Sequence, residues 1–162
     1  MNKKIKKIIN KKTKSKIICL TAYSKNIAKR TRVLLELRSI EGSPAALRRM
    51  ARELELMLGD ALNAYVQQDQ ALALAVIERD EAVDQIYNTL FREFLTFMME
   101  DPRNITACMH LHFIAKNIER IGDHVTSIAE QAVYVATGEY PLEDRPKVDT
   151  TANTGVDTKG NS

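Results

Sequence analysis

Residues 111–131, LHFIAKNIERIGDHVTSIAEQ, decide the fold. Apolar side chains at Ile114, Ile118, Ile121, Val125, Ile128 and, just beyond, Ala132 return every three or four positions, the spacing of one face of an α-helix. Glu119 and Asp123 lie one turn apart on the side opposite that stripe. The helix opens at Asp101-Pro102, a capping residue followed by a proline at the first helical position. It runs to about Thr137, where Gly138 supplies a C-terminal cap, and Pro141 and Pro146 prevent continuation.

Working back toward the N-terminus, residues 70–100 form a second helix with Asp69 as its cap. Residues 43–67 form a third, capped by Ser43 with Pro44 at the first position. Leu47, Met50, Leu54, Met57, Leu58, Ala61, Leu62 and Tyr65 line one side of it, and Gly59 weakens it. Three long helices joined by very short turns must be antiparallel neighbours, so residues 43–138 form a three-helix bundle. Ahead of it, Leu20, Tyr23, Ile27, Leu34 and Leu37 mark one more helix over 17–40, ended by Glu41-Gly42-Ser43-Pro44. That helix has no hairpin partner before it, and its exposed stripe predicts self-association. The fold class is all-α.

Composition agrees. The 162 residues are 44% hydrophobic with six Gly, four Pro and no Trp, which suits long helices around an aliphatic core. The net charge of +3 hides an asymmetry. Residues 1–16 hold eight Lys and no acid, leaving 16 basic against 21 acidic residues in the remainder, a net of −5. Residues 1–16 read as a disordered basic arm and residues 139–162 as a disordered polar tail. The high pI therefore does not indicate nucleic-acid binding. The arm allows at most peripheral association with a membrane, through simple electrostatics. No stretch is long enough to span a membrane or to act as a secretion signal, which places the protein in the cytoplasm. Cys19 and Cys108 have no zinc spacing and read as buried thiols.

Two carboxylate pairs stand out: Asp80 with Asp84, and Glu119 with Asp123. Each is an i, i+4 pair whose repulsion a hard cation between them would relieve. Asp80 and Asp84 point in nearly the same direction as Val76, Phe91, Leu95 and Met98, at the margin of the core, where unpaired carboxylates are costly. Folding the hairpin at residues 100–102 brings Asp84 level with Glu119 and Asp123 at about 1.5 Å rise per residue. The four oxygen-bearing side chains thus form a candidate metal site, against the plainer reading of a solvated acidic face. His124 is a candidate outer-shell group or a surface histidine. His110 and His112 are two residues apart and cannot share a face. No histidine follows a Glu at the Glu-x-x-His spacing of di-iron bundles, and no P-loop, GxGxxG, HExxH or G-x-S-x-G occurs. Nothing in the residues argues for an enzyme. A faint repeat sets residues 23–32 on 124–133 at an offset of 101, matching Ile27 with Ile128 and Ala28 with Ala129.

The 111–131 block, with Glu119 and Asp123 in an ERIGD setting, resembles the last helix of PhoU proteins. VIERDEAVD at 76–84 looks like that family's companion motif, giving Asp80 and Asp84, and Gly138-Glu-Tyr-Pro is also family-like. The resemblance covers roughly residues 24–145. It implies two similar three-helix bundles with acidic motifs that bind metal (iron, manganese, magnesium or zinc, divalent or trivalent). It also implies a non-catalytic regulator that restrains phosphate uptake and starvation signalling between a phosphate ABC transporter and a membrane sensor histidine kinase. The resemblance adds nothing for nucleic acid.

This sequence holds one whole repeat. At the offset of 101, Glu119 falls on Ile18 and Asp123 on Ala22, so the first repeat's acidic motif is missing. The expectation is an N-terminally truncated chain, with residues 1–22 foreign to the family and 17–40 the remnant of a first repeat. The alternatives are a helix-binding adaptor or homodimer, a non-functional fragment without metal, and a di-metal hydrolase for which no general base or nucleophile is apparent.

Overall fold

The computed structural model describes residues 3–37 and 43–141. Four helices follow in order: α1 (Lys3–Leu34), α2 (Ser43–Gln67), α3 (Gln70–Glu100) and α4 (Ile105–Thr137). No strand occurs among the described residues.

The turns follow their chemistry. Asp69 sits in extended backbone and its carboxylate accepts from the Leu72 amide at 3.0 Å, starting α3. Asp101 accepts from the Arg103 amide at 2.9 Å. One 3-10 turn, Pro102–Asn104, precedes α4, so that helix begins three residues later than the capping signal implies. Gly138 closes α4 with φ 87°, a left-handed conformation open to glycine at little cost. The turn before α2 and the tail from residue 142 lie outside the described residues, as does the side chain of Ser43.

The helices α2, α3 and α4 form the expected antiparallel bundle. Met50, Met57, Ala61, Val76, Val83, Leu90, Phe94, Cys108, Val125 and Ile128 are its buried centre. Arg79 of α3 clamps the α2–α3 pair, donating to Glu53 Oε1 at 2.8 Å and to Asp60 Oδ2 at 2.7 Å. The helix α4 is central and packs against each of the other three. Burial raises the Cys108 thiol above its usual range, as an enclosed structural cysteine requires. Cys19 is a free, half-buried thiol.

Two expectations need correcting. Residues 3–16 are not a disordered arm but the first half of α1. The Lys content argued for disorder, yet residues 1–41 hold no Gly or Pro to break a helix. Ile9 and Thr13 extend the Leu20 stripe by helical steps and are buried at 3% and 7% exposure. The Thr13 hydroxyl donates to Gln131 of α4. Nor does α1 expose its apolar stripe. Leu20 is buried, and Tyr23, Ile27, Leu34 and Leu37 pack on the core through α4. Self-association through that stripe therefore loses its basis. The helix ends at Leu34, with turns over the next three residues.

Candidate functional site

The site lies midway along the α3–α4 pair. Gly122 of α4 allows the approach there: a side chain at that position would meet Asp80 Oδ1 at 3.2 Å, Leu54 at 3.6 Å and Val83 at 3.7 Å. Asp80 is buried at 8% exposure. Asp84, one turn on, is half-buried. Across from them on α4 are Glu119, with a side chain only 11% exposed, and the half-buried Asp123. Glu119 is thus largely enclosed, and Asp123 partly so, rather than both lying on a freely solvated face.

The four carboxylates feel one another. The Asp84 carboxyl is raised from its ordinary 3.8 to about 7, first by burial and then by the negative charges of Asp80, Glu119 and Asp123. Lys116 opposes this shift. Its Nζ donates to Glu119 Oε1 at 3.0 Å and rests 4.7 Å from the centre of the Tyr87 ring. Sequence reasoning missed Lys116, although it precedes Glu119 by three residues, one helical turn.

In this arrangement no three His, Cys, Asp or Glu side chains among the described residues converge tightly enough to hold a metal ion. The donors are nevertheless of the type that suits a hard cation: four carboxylates on two adjacent helices, the charge of one of them, Asp84, disfavoured by burial and by the other three.

The histidines separate as their spacing requires. His110 faces α1, with Nδ1 3.4 Å from an Arg30 guanidinium nitrogen. His112 faces α3, its ring between Tyr87 and Phe91. Burial lowers its pKa, helped by Lys116. His124, next to Asp123, stacks on Tyr23 of α1, ring centres 5.5 Å apart, with Nε2 3.4 Å from the Tyr23 hydroxyl. Its Nδ1 is buried with no hydrogen-bond partner. Burial and Lys16 lower its pKa, while Asp123 raises it. Tyr23 and His124 are the two positions that the offset of 101 equates. These two equated positions are thus in contact across the α1–α4 pair.

Comparison with known proteins identifies the family. The family model "PhoU domain" matches residues 47–132, a span that contains all four carboxylates and Lys116. A phosphate-specific transport system accessory protein PhoU homolog of Caulobacter vibrioides is 48% identical over 126 residues, covering 78% of this chain and 55% of that protein. The Rhizobium meliloti homolog is 52% identical over 115 residues, covering 67% and 48%. The chain spans about half the length of these relatives. Among solved structures, PhoU from Pseudomonas aeruginosa superposes with a TM-score of 0.78 at 32% identity, covering 82% of this chain and 63% of that one. The phosphate transport system regulatory protein PhoU from Streptococcus pneumoniae gives 0.70 at 27% identity, covering 80% and 60%. A four-helix arrangement built around one acidic α3–α4 pair, matched by the domain model over more than half its length, makes this chain a member of the PhoU family.

Proposed function

We propose that the chain acts as a cytoplasmic, non-catalytic negative regulator of phosphate uptake and phosphate-starvation signalling. It works by contact with a phosphate ABC transporter and a membrane sensor histidine kinase. Asp80, Asp84, Glu119 and Asp123 hold a multivalent cation on the α3–α4 face. The observation that carries this reading is the PhoU-domain match over residues 47–132 with the acidic cluster inside it. The relatives' printed role, as accessory or regulatory proteins of phosphate transport, supports the transporter as one partner. No helix among the described residues is long and apolar enough to cross a membrane, which is compatible with action from the cytoplasmic side. A bound cation would neutralise the cluster and tie α3 to α4, with His124 supporting Asp123 from outside. Iron, manganese, magnesium and zinc all accept such donors to different degrees.

A second reading has one observation in its favour. Lys116 already supplies a positive charge to Glu119, so the bundle has an internal counter-ion and can act as a metal-free helical adaptor. Expression in a bacterium deleted for its own PhoU protein separates the readings. The regulator account predicts that the chain lowers phosphate uptake in phosphate-replete medium and that Asp80→Ala/Asp84→Ala/Glu119→Ala/Asp123→Ala loses the effect. Lowered uptake by both chains favours the adaptor, and no change with either rejects the regulator.

A further inference from the structure

The outer face of α1 has no role in the reading above. The helix spans Lys3–Leu34 with twelve Lys or Arg and no Asp or Glu. Its charges are not spread evenly. At about 100° per residue, Lys7, Lys11, Lys14, Ile18, Lys25, Lys29 and Arg32 fall within about 40° of one direction. Ile9, Leu20 and Ile27 point the opposite way, into α4. All seven stripe residues are exposed. From Lys7 to Arg32 the stripe runs straight for about 37 Å at the usual helical rise.

Three features bear on what meets this face. First, α1 packs along α4, touching α2 where Tyr65 donates to Asn10 at 2.6 Å. Its outer side is therefore turned away from α3, which carries six acids against two arginines. The molecule is thus polar across its thickness. Second, large aliphatic side chains are set among the lysines. Ile18 is 61% exposed within the stripe, and Ile8, Ile17 and Val33 flank it at 52%, 42% and 38%. Third, the face has no aromatic platform on which a base could stack, because Tyr23 is taken up against His124. Cationic residues in a straight row with isoleucines between them match a flat anionic surface with an apolar interior beneath it.

We infer that the outer face of α1 docks on an anionic lipid membrane surface, its lysines on the headgroups and Ile18, with its flanking aliphatics, at the acyl boundary. This inference stands apart from the phosphate-regulator reading, since it uses neither the acidic cluster nor the transporter.

The test is co-sedimentation of the full chain with phosphatidylcholine vesicles, with and without phosphatidylglycerol, at low and high sodium chloride. The expected result is binding only when phosphatidylglycerol is present, abolished by high salt. Replacing Lys7, Lys11, Lys14, Lys25 and Lys29 with Gln should weaken it by at least about a hundredfold, each lysine near an anionic surface contributing about fivefold. The replaced side chains are exposed, and circular dichroism verifies that the helices remain. Ile18→Ser separates lipid from a mere polyanion: it should weaken vesicle binding several-fold and leave binding to double-stranded DNA unchanged. Equal binding to neutral vesicles, no binding to either kind, or an unaffected five-lysine variant would overturn the inference. So would DNA binding tighter than vesicle binding with Ile18→Ser indifferent in both, which would assign the face to nucleic acid.

Discussion

Asp84 is the residue at which the physics of the site is most exposed. Its carboxyl holds a proton up to about pH 7, against 3.8 in an open chain, because burial and three neighbouring carboxylates penalise its charge. The folded state thus binds more protons than the unfolded state between those values. Its contribution to stability is present at low pH and is lost as pH rises toward 7. Taken alone this lowers the melting temperature of the metal-free protein at pH 8 relative to pH 5.5, while His112 and His124, whose pKa values are lowered, pull the other way. Asp84→Asn should remove much of that slope and stabilise the metal-free protein at pH 8 by about 1–2 kcal/mol, after allowance for solvent screening of a half-buried group. Thermal melts of both proteins at the two pH values check this. An Asn variant that is less stable than the parent at pH 8 contradicts the electrostatic account. The carboxylate pairs were legible in the sequence from their i, i+4 spacing and hairpin register. Lys116 was not, because a lysine on a helix surface is ordinarily solvated and only the tertiary approach of Tyr87 from α3 holds it beside Glu119. The part played by Gly122 was hidden for the same reason: a mid-helix glycine shows its use only when Asp80 is seen against it.

Among the elements, α1 teaches most. Periodicity identified its second half through Leu20, Tyr23, Ile27 and Leu34. Charge content hid its first half, since eight lysines outweigh the two or three apolar positions that anchor it. The physical resolution is geometric: Lys7, Lys11 and Lys14 are exposed on one face while Ile9, Thr13 and Leu20 are buried on the other, where Thr13 reaches Gln131 of α4. That docking makes Leu20→Ala destabilise the whole protein by about 2–4 kcal/mol. Denaturant unfolding should show a single transition moved to lower concentration. A separate early transition, or no change, would mean that α1 is not part of the cooperative unit. The other elements were read nearly to the residue, because Asp69, Asp101 and Gly138 each perform the capping role their identity implies.

For the whole molecule, helix count, order and antiparallel pairing followed from the sequence, and family membership followed from two short acidic motifs. What the sequence hid was the placement of α1. A helix without a hairpin partner can cover its apolar stripe in several ways, and only packing decides that α4, already flanked by α2 and α3, takes a third neighbour. That choice gives α4 neighbours on three sides, and on the α3 side Glu119 and Asp123 are partly enclosed rather than freely solvated. The central claim is that the enclosed acids serve a cation. Its most direct test is the metal content of the tag-free protein, purified without chelators, beside the variant with Ala at positions 80, 84, 119 and 123. The account predicts a stoichiometric multivalent ion in the parent and none in the folded variant. Equal, negligible metal in two folded, helical proteins would contradict it and leave Lys116 as the only cation the cluster needs.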